Sequence, residues 1–262
     1  MAPTLRRRLA LAAGLAFLSG WADVVCLVRF SAFAGMQTGN AVMLGRDLAD
    51  DEHGAGGAIY HLVIMGSNLL GVMVYEAMSN KMALRRSLWL VALVVGLATS
   101  ASDVLAALVG PSRWYVCFVA AAFGAQNALS GSDAVLGVNT TIMTGNLQKV
   151  GAVLALRLLR MPVPAKQARG SKLSAAVLAA TVLGAMVAAL ALRTAGETQW
   201  PCFLPIALLQ AAFIGLLATA TEPAQDEQRL RIAVQDDSSG AAHGGTEVQV
   251  ELVTSTQCSS SE

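Results

Sequence analysis

Six stretches of the chain stay apolar for about twenty residues, the length a helix needs to cross ~30 Å of hydrocarbon. They run from Leu9 to Phe30, Ala58 to Met78, Ser87 to Val109, Trp114 to Leu136, Leu173 to Leu192 and Cys202 to Ala220. Trp89, Trp114 and Trp200 fall at span edges, where an interfacial aromatic belt would hold them. Pro205 lies in the first turn of the last span, where a missing N–H costs little. The stretches 31–48 and 137–159 are moderately apolar, and counting them as spans would give eight instead of six. Arg6-Arg7-Arg8 before the first span also resembles the start of a signal peptide. The apolar run continues through Val24, Val25, Leu27 and Phe30, however, which is long for the core of such a peptide. The pattern predicts an all-α, polytopic transmembrane helical bundle of about six spans.

Loop charge then sets a direction. With six spans and the N-terminus inside, the inner face receives fourteen Lys and Arg side chains, and the outer face only Arg29, Arg46, Arg113 and Arg193. That bias places both termini in the cytoplasm of a multi-pass protein, with the plasma membrane the expected location.

Composition sharpens the class. Hydrophobic residues make up 55% of the chain and charged ones 13%, with a mean hydropathy of +0.57. Soluble domains carry about twice that share of charge. Eighteen Lys and Arg against seventeen Asp and Glu leave no basic surplus for a nucleic acid partner. The balance is uneven along the chain. Beyond Thr221 eight acidic residues are opposed only by Arg229 and Arg231, among Ser, Gly and Gln. Residues 222–262 therefore read as a disordered, acidic cytoplasmic tail, and the strand-like alternation at 246–253 has nothing to pair with.

An internal repeat organises the membrane region. Gly20-Trp21-Ala22-Asp23 precedes Thr38-Gly39-Asn40, and Gly124-Ala125-Gln126-Asn127 precedes Thr144-Gly145-Asn146. Each Thr-Gly-Asn is followed by a glycine at the same offset, Gly45 and Gly151. Leu70-Gly71 and Leu183-Gly184 add a fainter match. The expected organisation is a basic N-terminus (1–8), a first membrane repeat (9–110), a second (111–221) and the tail. Three spans per repeat is an odd number, so the repeats would be inverted, with the two Thr-Gly-Asn segments entering from opposite faces as discontinuous or re-entrant pieces. Asp23 and Asn127 would then both lie near the bilayer middle.

These motifs resemble the YoaK-like family of small membrane proteins, domain of unknown function 1275. The resemblance covers roughly residues 9–221. It implies about six helices and a permease-like role, and says almost nothing about substrate. The family's usual small residue after the Asp is replaced here by Val24.

A carboxylate within a transmembrane helix costs from about 2.5 kcal/mol upward and is a functional candidate by default. Two readings of Asp23 stand side by side. It is a proton- or cation-coupling group, or a buried Asp bonded to Ser19, Asn127 or nearby backbone. Thr38, Gly39, Asn40, Thr144, Gly145 and Asn146 would start two half-helices whose bare N–H groups suit an anion or a polar solute, or would be ordinary interfacial caps. Gln126 and Asn127 complete the expected substrate-binding set, with Asn68, Asp103 and Asp133 secondary and Gln210 beside them. Asn68 is expected to make a helix–helix hydrogen bond, Asp133 to face Lys149, and Glu76 to reach water.

Catalysis finds little support. His53, His61 and His243 are not spaced for a metal, and no nucleophile elbow or phosphate loop occurs. Cys26, Cys117 and Cys202 would share the outer leaflet, so a disulfide is conceivable, with buried free thiols the simpler state. The small residues in the spans suit close packing and would also suit a homodimer. The sequence points to a small secondary transporter for a polar or anionic solute, not an enzyme, with no cofactor or metal. The alternative is a non-transporting membrane protein whose acidic tail recruits cytosolic partners.

Overall fold

A computed structural model describes residues 5–49, 54–132, 135–141, 143–195 and 202–220. The tail, the 246–253 stretch and Asp133 lie outside them. Among the described residues every regular element is helical, and there is no strand. The helices are α1 (Leu5–Phe30), α2 (Gln37–Ala49), α3 (Gly54–Lys81), α4 (Leu84–Val109), α5 (Val116–Gly131), α6 (Met143–Leu158), α7 (Ala165–Ala195) and α8 (Phe203–Ala220), with a single 3₁₀ turn at Arg113–Tyr115.

Four of these helices are long and apolar enough to cross a membrane: Leu5–Phe30, Ala55–Lys81, Leu84–Val109 and Ala165–Thr194. The last helix carries a shorter apolar stretch, Phe203–Thr219. Helix α5 is shorter than its apolar run suggests. It stops at Gly131 because the N–H groups of Val135, Leu136 and Gly137 all turn back to the Ser132 carbonyl, at 2.9, 3.2 and 3.0 Å, and Gly137 takes φ +68° to close the turn. The moderately apolar stretches 31–48 and 137–159 each supply a further short helix, α2 and α6.

Helix α1 packs along α7, α3 along α5 and α4 along α8, while α2 lies on α3 and α6 on α7. Glycines set the two closest crossings. At α1/α7, a Cβ on Gly20 would run into the Thr181 carbonyl, and one on Gly184 into the Phe17 carbonyl. At α5/α3, Gly124 meets the Asn68 carbonyl and Gly71 the Ala121 carbonyl in the same manner. Large apolar side chains such as Leu62, Leu69, Met73, Leu93, Leu97, Val182 and Met186 remain exposed on the flanks of α3, α4 and α7. That surface suits acyl chains and not water.

Arg7 joins α1 to α8. Its guanidinium donates to the Leu216 carbonyl (3.0 Å) and to Thr219 Oγ1 (3.4 Å). A cation at a helix C-terminus satisfies carbonyls that have no partner within the helix. Ser31 ends α1 in the left-handed region (φ +51°), its N–H returning to the Leu27 carbonyl at 3.1 Å.

Candidate functional site

After Ser31 the chain folds back along α1 instead of leaving the bundle. The Gly35 N–H donates to Asp23 Oδ1 at 2.8 Å, and Asp23 is seven residues before the end of its helix, about 10 Å deep. Helix α2 then starts beside that carboxylate. The N–H groups of Ala34 and Met36 also face it. A negative group at the positive end of α2 is the favourable arrangement. Asp23 is 6% exposed, and its partner is the backbone of the first loop.

The Thr-Gly-Asn motifs work differently from simple caps. Asn40 sits in the first turn of α2 and reaches back seven residues: its Nδ2 donates to the Phe33 carbonyl (2.7 Å), and its Oδ1 accepts the Phe33 N–H (2.9 Å). Asn146 repeats this in α6, Nδ2 donating to the Asn139 carbonyl at 2.7 Å, again seven residues back. Its Oδ1 accepts from Ser174 Oγ at 3.0 Å. Each Asn staples an incoming loop to the start of its short helix, α2 or α6. Gly39 leaves room for the Phe33 ring, which a Cβ there would strike. Gly145 is half-buried, while Thr38 and Thr144 face outward and are exposed.

The two loops meet. A Cβ on Gly35 would stand 3.3 Å from Asp23 Oδ2 and 3.4 Å from Thr141 Cγ2. Thr141 belongs to the second loop, held by its N–H and Oγ1 on Asn139 Oδ1 (3.1 and 3.2 Å). Asn127 is partly exposed, and its Oδ1 is buried without a hydrogen-bond partner. Asn68 donates to the Ala120 carbonyl on α5 (3.1 Å) and to the Ala34 carbonyl (3.4 Å), so it ties α3 to both α5 and the first loop.

Gln126 is fully enclosed, within a connected polar chain. Its Nε2 faces Ser19 Oγ (3.0 Å), Thr140 Oγ1 (3.3 Å) and the Leu15 carbonyl (3.4 Å), while its Oε1 accepts from Gln210 Nε2 (2.7 Å). Gln210 in turn accepts from Thr99 (2.9 Å), and Ser130 lies 3.1 Å from Thr140. Sequence reasoning named Gln126 and Gln210 but missed Gly35, Thr99, Ser130, Thr140 and Thr141. Nothing marks lone hydroxyls in an apolar run as partners. Asp103 is elsewhere, accepting the Phe203 and Leu204 N–H groups (both 2.8 Å) at the start of α8. Cys26, Cys117 and Cys202 are free thiols, and Glu76 is exposed.

The stapling asparagines predict a measurable loss. Asn40→Ala and Asn146→Ala each leave buried backbone groups unsatisfied, which costs about 1–3 kcal/mol. Both variants should melt earlier in detergent than the native protein, whereas Thr38→Ala, at an exposed position, should melt with it. A Thr38→Ala loss as large as that of Asn40→Ala would show that the motif acts through its threonine.

No curated protein and no solved structure matches the chain. A family model described as a protein of unknown function (DUF1275) matches residues 11–215. That range takes in all eight helices except the ends of α1 and α8, together with both loops and every residue of the central site, and the chain belongs to this family.

Proposed function

We propose that the protein is a small secondary transporter built from two inverted repeats, with six membrane spans and two half-helices, α2 and α6, that enter from opposite faces. One observation carries this reading. Non-helical backbone from both halves, residues 31–36 and 135–141, meets beside a buried carboxylate, with Gly35 between Asp23 and Thr141. Irregular backbone is tolerated at membrane depth only where protein buries it or it lines a cavity. Broken helices at a repeat interface are the usual solute site of inverted-repeat transporters.

The packing supports the repeat. If α1–α4 correspond to α5–α8, then α1 on α7 corresponds to α5 on α3, α2 on α3 to α6 on α7, and α4 on α8 to itself. The four crossing glycines obey the same exchange, Gly20 for Gly124 and Gly71 for Gly184. Asp23 exchanges with Asn127, so at this position only the first half carries an ionisable group. The ionised Asp23 holds the 31–36 segment against α1, and protonation weakens the Gly35 contact and frees the segment to move. One proton per cycle follows.

Reconstitution tests this. Purified protein in liposomes holding a pH-sensitive dye is exposed to gradients of small carboxylates, phosphate, sulfate, neutral amino acids and polyols. The native protein should move protons with at least one of these. Asp23→Asn should abolish that proton flux while still exchanging labelled solute across the bilayer. Equal proton flux in both proteins would remove Asp23 from coupling, and no solute movement in either would remove the transport reading.

A further inference from the structure

The end of the bundle where α1 and α4 begin and α8 finishes carries an open recess of about 500 Å³, lined by Ala83, Arg85, Arg86, Trp89 and Leu90. Arg7 marks the same end, since it reaches Leu216 and Thr219 of α8. The Trp89 ring lies across α8 there: a Cβ on Gly215 would stand 3.0 Å from it. In the orientation that loop charge favours, this end faces the cytoplasm.

The polar side chains around the recess are donors only. Arg85 and Arg86 are exposed, and among the described residues neither makes a hydrogen bond or an ion pair. Glu76, the nearest acidic residue in sequence, lies seven residues before Ala83 and pairs with neither. Trp89 is 49% exposed, and its indole N–H has no partner among the described residues. An arginine or indole group offers N–H donors and no acceptor.

Both arginines stand in the first turn of α4, which holds no acidic residue and whose N-cap, Ala83, has no side-chain acceptor to offer. The positive end of a helix dipole disfavours cations at this place. Water satisfies a bare helix end, but two unpaired guanidinium groups beside it call for an anion. Trp89 and Leu90 follow about one turn, ~5 Å, further along α4, and set an apolar flank next to the charged rim.

We infer that this recess binds the headgroup of an anionic phospholipid from the facing leaflet. Arg85 and Arg86 take the phosphate oxygens, which the planar guanidinium fork fits. The Trp89 indole N–H meets the ester region, and Leu90 with the Trp89 ring lies against the start of the acyl chains. Phosphate first and hydrocarbon after it, in that order along α4, is what a phospholipid presents from its headgroup inward. A zwitterionic lipid brings its own cation to the arginines and fits less well. The site stands apart from the transport reading and does not depend on it.

Thermal melts of the full-length protein in a neutral detergent test the site, with phosphatidylglycerol, phosphatidylcholine, glycerol phosphate and inorganic phosphate as probes. Phosphatidylglycerol should raise Tm in a concentration-dependent way, and the other three should not. Arg85→Gln combined with Arg86→Gln should weaken the apparent phosphatidylglycerol affinity by about tenfold or more, the loss expected when charge-assisted hydrogen bonds go. Arg85→Lys with Arg86→Lys keeps the charge without the fork and should fall between. If the double Gln variant fails to fold, Arg86→Gln alone and the probe comparison on native protein still decide. The same double exchange at Arg157 and Arg160, another exposed basic pair, should leave the affinity unchanged. An equal loss there would mean diffuse attraction by a basic surface and would overturn the site. Absence of a phosphatidylglycerol shift, or an equal shift with phosphatidylcholine, overturns the proposal. An equal shift with glycerol phosphate or inorganic phosphate overturns the lipid assignment.

Discussion

Gly20→Ala and Gly124→Ala should each cost the protein several kilocalories, and by similar amounts. Neither glycine is needed for its backbone angles, since both lie inside regular helices. The reason is proximity: a single methyl at either position would overlap a backbone carbonyl of the facing helix, that of Thr181 or Asn68. A carbonyl cannot rotate aside as a side chain can, so α7 or α3 must move bodily, and overpacking of this kind costs about 1–3 kcal/mol or more. Gly71→Ala and Gly184→Ala should behave likewise, against Ala121 and Phe17. The control lies in α3, the helix that also carries Gly71. Gly66 has nothing within 4 Å of its would-be Cβ, so Gly66→Ala should gain up to about 1 kcal/mol from helix propensity alone. Melting curves in detergent for the five variants check this. Four matched losses and one gain are expected; a harmless Gly20→Ala with a damaging Gly124→Ala would break the correspondence between the halves.

Those four glycines show what could be read from sequence and what could not. Gly20 and Gly124 stood out because each begins a repeated Gly-x-x-Asp/Asn, and Gly71 and Gly184 because each follows a leucine at matching places. Their partners were not legible, because a close crossing is set by backbone carbonyls, and every residue type carries one. The six long apolar runs could be read as helices, since burial in lipid leaves a continuous apolar signal. The loops between them could not be resolved the same way. Residues 31–48 and 137–159 mix apolar helix faces with buried polar contacts, so their average hydropathy is that of neither a span nor a soluble loop.

The central site was legible in part for the same reason. Asp23, Gln126 and Asn127 are conspicuous because polar groups in an apolar run are expensive. Asn40 and Asn146 were legible as motif members, but the motif suggested caps exposing N–H groups to a ligand. The structure instead directs both asparagines backward onto Phe33 and Asn139, and α2 receives its negative partner from another helix, through Asp23. That partner lies on the preceding helix, twelve residues before Gly35, and takes its place only because the first loop folds inward. Gly35, which lies between Asp23 and the second loop's Thr141, had no motif to mark it. It matters because it lacks a side chain at the one place where Asp23 and Thr141 both press close.

Gln126→Leu should be the most damaging single change in the polar interior. Gln126 links α5 to α1 through Leu15 and Ser19, to the second loop through Thr140, and to α8 through Gln210. Leucine is close in size, so the loss is not one of volume. What remains is a buried Gln210 Nε2 without its 2.7 Å acceptor, beside a Ser19 hydroxyl that still donates to the Leu15 carbonyl (2.9 Å). Each stranded buried donor costs about 1–3 kcal/mol, whereas replacing both partners by apolar groups can be close to neutral. Gln210→Leu alone should therefore be costly as well, and the double variant should be more stable than the sum of the two single losses predicts. Thr99, which donates to Gln210 Oε1, can turn its hydroxyl onto its own helix once that acceptor is gone, as Ser and Thr commonly do. A double-mutant cycle in detergent, read as melting temperature and as resistance to proteolysis, measures the coupling. Strict additivity would mean that Gln126 and Gln210 each act alone, and that the chain of amides across α4, α8, α5 and α1 contributes no more than its separate links.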